Sequence, residues 1–301
     1  MRVLVVGSVL MDVRFSASSP ANSVDVFSHA ANARIGGAAY NVAVNLVAAG
    51  CEPILFTALR HPSIISDAII GKISTSALST LNIHKSPTLP EALFCYQLDE
   101  DGILKSAMTS APLNSAQIGS FDVESLADGC KGIIADLSAP LHLLDLLSRV
   151  AAQSGIPMIV NLVSDSLVVA ARKFLMTPHR DRLNLTIVGN ENEVCTLELL
   201  LSNAGQRDVC AATGANMILS TRGAQGHDVL LPFEQKQTIA APNLGDTMIA
   251  STLGAGDCFL AIVSVLIARG DPIDWGEWRR LMRLQLPAIL AEEGATPQSS
   301  I

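Results

Sequence analysis

Short, near-continuous apolar segments alternate with longer amphipathic ones along most of the chain, and this alternation restricts the fold more than any single motif. Segments 3–6, 54–57, 132–136, 158–161, 186–189 and 217–220 read as buried strands. Segments 38–49, 67–82, 141–154, 165–175, 191–203, 255–269 and 275–293 read as helices. Strands that are apolar throughout need cover on both faces, and crossover helices supply it. The expectation is an α/β fold with three layers: a mostly parallel sheet with helices on both faces. Ligands of such sheets bind at the carboxyl ends of the strands.

Two segments break the alternation. Residues 13–35 are polar, rich in Ser and Ala, and have no helical period; Phe15, Val24, Val26 and Phe27 suit short strands. Residues 91–98 and 103–107 flank Asp99-Glu100-Asp101-Gly102 and read as a hairpin with an Asp-Gly turn. The two segments make either a small antiparallel β lid or an ordinary surface ribbon. No internal repeat or linker divides the chain, so residues 1–301 are expected to form a single domain.

Hydrophobic residues at 49% and charged residues at 16% indicate a filled core, and aromatics at 4% make it aliphatic. A formal charge of −8 argues against a large footprint for nucleic acid or acidic membrane, while leaving room for a local basic pocket. Six cysteines form no Cys-x-x-Cys pair and fit reduced cytoplasmic thiols. Arg2 and residues 3–11 mimic a short signal segment, but Asp12 closes the run and Val3-Leu4-Val5-Val6-Gly7 suits a buried first strand. The longest later apolar run, 258–268, falls short of the roughly 20 residues of a membrane span. A soluble, cytoplasmic protein without membrane or nucleic-acid partners is expected.

Leu253-Gly254-Ala255-Gly256-Asp257 precedes an apolar run starting at Cys258. A glycine turn feeding a helix leaves free N–H groups at the positive end of the helix dipole, which favours phosphate. Asp257, in the first turn, would stand beside that anion and could take a proton from an attacking hydroxyl. An Asp there also stabilises any helix start, so the motif alone decides nothing. Cys258 reads as a small buried filler. A P-loop and a Gly-x-Gly-x-x-Gly fingerprint are both missing from the sequence.

Five motifs in order resemble the ribokinase-like (PfkB) sugar kinases over nearly the whole length. Gly36-Gly37-Ala38-Ala39-Tyr40-Asn41 is similar to that family's Gly-Gly-x-x-x-Asn, and Asn190-Glu191-Asn192-Glu193 to its Asn-x-x-Glu. Thr221-Arg222-Gly223-Ala224-Gln225-Gly226 resembles its Thr-x-Gly-x-x-Gly; the segment ending at Asp257 and Gly294-Ala295-Thr296-Pro297 complete the set. The resemblance implies ATP-dependent phosphorylation of a hydroxymethyl group on a sugar or sugar-like molecule. It implies Asp257 as general base, with the amides of Gly254, Ala255 and Gly256 as anion hole. Asp12, Gly36, Gly37 and Asn41 would bind the acceptor, and Asn190, Thr221, Gly223 and Gly226 would line the ATP site. Glu193, with Asn190, would organise Mg²⁺ through its waters.

The residues keep plainer readings as well. Asn190 to Glu193 also fits a capping box, Thr221 to Gly226 a simple turn, and Asp12 a solvated loop acid. Asp136 is left as an unassigned loop acid.

The sequence also departs from the pattern. Ser251 stands where the family usually has Asp, which puts a monovalent-cation site in doubt. A Gly-Asp-Asp segment is not visible between Ala58 and Gly71, and the bulk of Tyr40 implies an altered acceptor pocket. Val160-Asn161-Leu162-Val163-Ser164 is similar to a segment of pseudouridine kinases, making a nucleoside acceptor the alternative. A catalytically silent ligand-binding homologue is a third reading. The lid segments, 13–35 and 91–107, would close over the acceptor, and paired lids are a candidate homodimer interface.

Overall fold

The computed structural model describes residues 1–17, 28–98, 104–116, 123–177, 183–206, 208–245, 253–270 and 272–291. The chain opens with β1 (Arg2–Val6), then leaves for β2 (Leu10–Ala17) and β3 (Ser28–Gly36) before α1 (Ala38–Ala48). Next come β4 (Glu52–Arg60), α2 (Ile64–Ser74), β5 (Ile83–Ser86), β6 (Leu93–Leu98) and β7 (Leu104–Ser110). Short helices α3 (Pro112–Ser115) and α4 (Val123–Ala127) lead to β8 (Ile133–Asp136), α5 (Leu141–Ser154) and β9 (Met158–Asn161). Then follow α6 (Asp165–Ala170), α7 (Arg172–Leu175), β10 (Leu185–Asn190), α8 (Glu191–Asn203) and α9 (Val209–Thr213). The described part ends with β11 (Met217–Thr221), β12 (His227–Leu231), β13 (Gln235–Ile239), α10 (Ala255–Ala268) and α11 (Trp275–Ala291).

The large sheet runs β13-β12-β11-β10-β9-β8-β1-β4-β5. All neighbours from β11 to β5 are parallel, and β12 and β13 add an antiparallel edge. Alternate strand residues face opposite layers. Leu4, Val6 and Phe56 pack with Leu144 of α5 and Leu201 of α8. Val3, Val5 and Leu55 pack with Leu46 of α1, Ile262 of α10 and Trp278 of α11. From β1 the chain first builds outward to β4 and β5, then crosses to β8 on the other side. The crevice between the carboxyl ends of β1 and β8 is therefore a topological switch point.

The four-stranded lid sheet has the order β3-β2-β6-β7. Its outer pairs are antiparallel, and β2 and β6 join them in parallel. The expected hairpin is present as β6 and β7, with its Asp-Gly turn outside the described residues. Within 13–35, residues 13–17 belong to β2 and 28–35 to β3; Val24, Val26 and Phe27 lie outside the described residues.

Two helix readings shift. Helix α2 begins at the Ser63 cap and ends at Ser74, because Thr75 and Ser76 hydroxyls turn back onto Lys72 and Ile73 carbonyls. The segment 165–175 divides at Ala171 into α6 and α7. The hairpin of β12 and β13 is not legible in the sequence, because Gln235–Thr238 form a polar, exposed edge. Among the described residues no helix is long and apolar enough to cross a membrane.

Leu46 of α1 is fully buried in the layer facing α10, where truncation leaves a void. Leu46→Ala, at a fully buried position, should cost about 2–5 kcal/mol in urea denaturation. Leu81→Ala, at a position 90% exposed, should change stability by about 0.5 kcal/mol or less.

Candidate active site

The crevice at the switch point is built around carboxylates. Val6 pairs with Ala135, so Gly7 and Asp136 leave the sheet side by side. Asp136 is 4% exposed. It accepts hydrogen bonds from the Ser8 amide at 3.0 Å, the Ser138 amide at 2.9 Å and the Ser138 hydroxyl. The Ser8 and Ser138 hydroxyls share a further bond of 2.6 Å. Burial pushes Asp136 up to about 6 against these donors. A side chain at residue 7 would overlap the Asp136 carboxylate, so glycine is required. Asp136 is thus the buried last residue of β8 and not a loop residue. Its position at a strand end beside the central strand was the available signal.

Asp12 and Asn41 form the next layer. Asp12, on β2 opposite Arg34, is 6% exposed, with Arg34 Nε 3.8 Å from Oδ2. Its Oδ1 is buried without a hydrogen-bond partner. Burial outweighs Arg34 and lifts the carboxyl to about 7. A side chain at Gly36 would overlap that carboxylate, and Gly37, at φ 90°, turns the chain into α1. Asn41, in the first turn of α1, donates from Nδ2 to Asp257 Oδ2 at 2.8 Å. Its own Oδ1 is buried and unpartnered, while its carbonyl accepts from Asn45.

Asp257 stands in the first turn of α10, after Gly254 at φ 84°. Burial, and then the charges of Asp12, Asp136 and Glu193, push it up to about 7, against the Asn41 hydrogen bond. Gly256 is exposed, with open space where a Cβ would stand, so the backbone here is approachable. Cys258 is fully buried, and burial with the Asp257 charge raises its thiol to about 12; it is a filler. Tyr40 is 3% exposed within the apolar layer of α1 and α10, so its bulk is absorbed by the core.

On the far side of the crevice, Asn190 caps α8. Glu193 returns both oxygens to Asn190, at 2.9 Å to its amide and 2.7 Å to Nδ2. The capping box is complete. Burial leads in raising the Glu193 carboxyl. Thr221 pairs with Asn190 in register, and its hydroxyl donates to the Gly189 carbonyl at 3.4 Å. His227, directly after Gly226, lies 4.8 Å ring to ring from Phe259, two residues past Asp257.

The two turn glycines differ. Gly223 has open space at its Cβ position, whereas a side chain at Gly226 would strike the backbone of Ile239 and Ala241. Among the described residues no group of three His, Cys, Asp or Glu side chains is placed to hold a metal ion. Ser251 and the 294–297 segment lie outside the described residues.

The three-layer fold with its second, smaller sheet thus sets an acid in the first turn of α10 at the switch point. The pfkB carbohydrate kinase family matches residues 1–274, and the chain belongs to that family. Solved structures share the fold. Ribokinase from Cryptococcus neoformans var. grubii, in complex with ADP, has a TM-score of 0.75 at 19% identity, covering 98% of this chain and 95% of that one. Arabidopsis thaliana ribokinase, complexed with ribose and ATP, gives 0.72 at 16% identity, with 97% and 93% covered. A Burkholderia thailandensis nucleoside kinase in complex with inosine gives 0.72 at 18%, with 99% and 93% covered. No curated protein matches the chain at a significant level.

The glycine contrast is measurable. Gly226→Ala has to displace backbone and should lower Tm clearly. Gly223→Ala, at φ 55° with room for the methyl, should cost only about 1 kcal/mol. A thermal melt of the two variants checks the order.

Proposed function

We propose that the chain transfers the γ-phosphoryl group of ATP to a hydroxymethyl group of a sugar or sugar-like molecule. The observation that carries this reading is the Asn41–Asp257 hydrogen bond, which holds a carboxylate at the positive end of α10 beside an acceptor-rich pocket. A base with a value near 7 is well matched to proton transfer at neutral pH. The buried, unpartnered Oδ1 atoms of Asp12 and Asn41 can each accept a hydrogen bond from a hydroxyl, which suits a polyol.

The acceptor oxygen forms a bond to the γ-phosphorus as the bond to the bridging oxygen breaks and ADP leaves. The hydroxyl proton passes to Asp257. Free amides at Gly254, Ala255 and Gly256 face the charge that develops on the phosphoryl oxygens. Glu193, with both oxygens already engaged by Asn190, suits a hydrated Mg²⁺ held through water and not a direct ligand cage. That ion would neutralise phosphate charge. Asn190, Thr221 and Gly223 would line the nucleotide side, and Gly226 would support the turn from behind. The lid would exclude water by closing over the acceptor, and its exposed β7 edge is a candidate homodimer surface. The nucleoside alternative draws on the inosine-bound relative of the same fold; that likeness does not choose between acceptors.

Asp257→Asn should reduce turnover by at least about 10²-fold. Because the ionised form is the base, wild-type kcat/KM should fall as pH drops through about 7. The folded value lies above the ordinary 3.8, so ionising Asp257 costs stability as pH rises from 3.8 towards about 7. The Asn variant should therefore gain Tm relative to wild type at pH 8 and show no such gain below pH 4. Near-normal turnover in the variant would remove the assigned role.

Acceptor identity is decided by ADP release over a panel of sugars, polyols and nucleosides. A sugar substrate is the expected result, and a nucleoside substrate alone would favour the alternative. Ligand-stabilised melting with no ADP from any acceptor would show a silent binder.

A further inference from the structure

One buried acid takes no part in the chemistry above. Asp228, on β12 two residues past Gly226, is 4% exposed. Lys236 Nζ lies 2.9 Å from Oδ2, Arg222 Nη2 lies 3.2 Å from Oδ1, and the Thr238 hydroxyl donates to Oδ1 at 2.7 Å. Burial alone would raise this carboxyl, but Lys236, Thr238 and Arg222 together hold it below its ordinary value. Two cations on one carboxylate leave a local surplus of positive charge in a chain of net charge −8.

Arg222 is the first residue after β11 and opens the turn that ends at Gly226. Its amide donates to the Gly226 carbonyl at 2.8 Å and closes the turn. Its guanidinium reaches across to Asp228, while its Nε is buried without a hydrogen-bond partner. Residues 223–225 are exposed, and only the Gly226 end of the turn packs against β13. Asp228 thus ties the turn, β12 and β13 to one carboxylate, and the free Nε–H is a donor suited to a phosphate or ribose oxygen.

We infer that Asp228 is a positioning residue for the nucleotide: it braces Arg222 and Lys236 so that the 221–226 turn and its surplus positive charge are preset for ATP. This rests on the kinase reading above, in which that turn meets ATP. A carboxylate that only stapled the hairpin would affect folding without singling out the nucleotide.

The test is calorimetric titration of ATP with Mg²⁺ into the full chain, without acceptor, followed by steady-state kinetics. Asp228→Asn should weaken ATP binding about tenfold or more, raise KM for ATP, and leave kcat and the acceptor KM within about twofold. Arg222→Met should do the same, and the double variant should lose no more than the weaker-binding single one. If Asp228→Asn does not fold, Arg222→Met carries the test. Unchanged ATP affinity in a folded variant overturns the proposal and leaves the kinase reading standing. Equal loss of ATP and acceptor binding with a lowered Tm also overturns it, in favour of a staple. Wild-type protein that binds no ATP removes both.

Discussion

The hydrogen bond from Asn41 to Asp257 joins the first turns of α1 and α10, and the arrangement of the crevice depends on it. Each helix presents the positive end of its dipole to the same space. Asp257 is held there between opposed influences. Burial and the charges of Asp12, Asp136 and Glu193 favour its neutral form, while Asn41 and the helix end favour the charged one. The balance falls near 7, where a carboxyl can both lose and regain a proton. Neither helix alone would produce this, since the donor comes from one and the acid from the other.

The sheet explains why residues so distant in sequence meet. Its order reverses between β1 and β8, and the loops on either side part to leave a crevice. Gly7, Ser8, Asp136 and Ser138 line its floor. Strand β2, entered only a few residues later, brings Asp12 over it. Gly36 then passes so close to Asp12 that a methyl group would occupy the carboxylate's place. The glycines at 7 and 36 are consequences of crowding by acids. The glycine at 254 is a consequence of backbone direction.

Much of this was legible because it follows from periodicity and turn chemistry. Each strand read from the sequence reappears within two residues at its start, and α1, α5, α8 and α10 begin where expected, since apolar runs and glycine turns mark them. The pairing of Asn41 with Asp257 was not legible, because 216 residues separate them and only packing of α1 on α10 brings them together. The surroundings of Asp136 are not legible for a related reason: its donor Ser8 lies 128 residues away and comes beside it only in the fold. The crowding of Gly226 against Ile239 is not legible either, since it comes from a hairpin whose polar edge gives no apolar pattern.

Only residues 7–9 separate β1 from β2. The β2–β3–β6–β7 sheet joins the rest of the fold here and also at Gly37, at residues 87–92 and at Ala111, and in this crossing Ser8 is tied through its amide to Asp136 and through its hydroxyl to Ser138. Movement above would therefore pull on the anchorage of a neighbouring negative charge below. Strain on this crossing and the proton affinity of Asp136 are linked through the Ser8 amide.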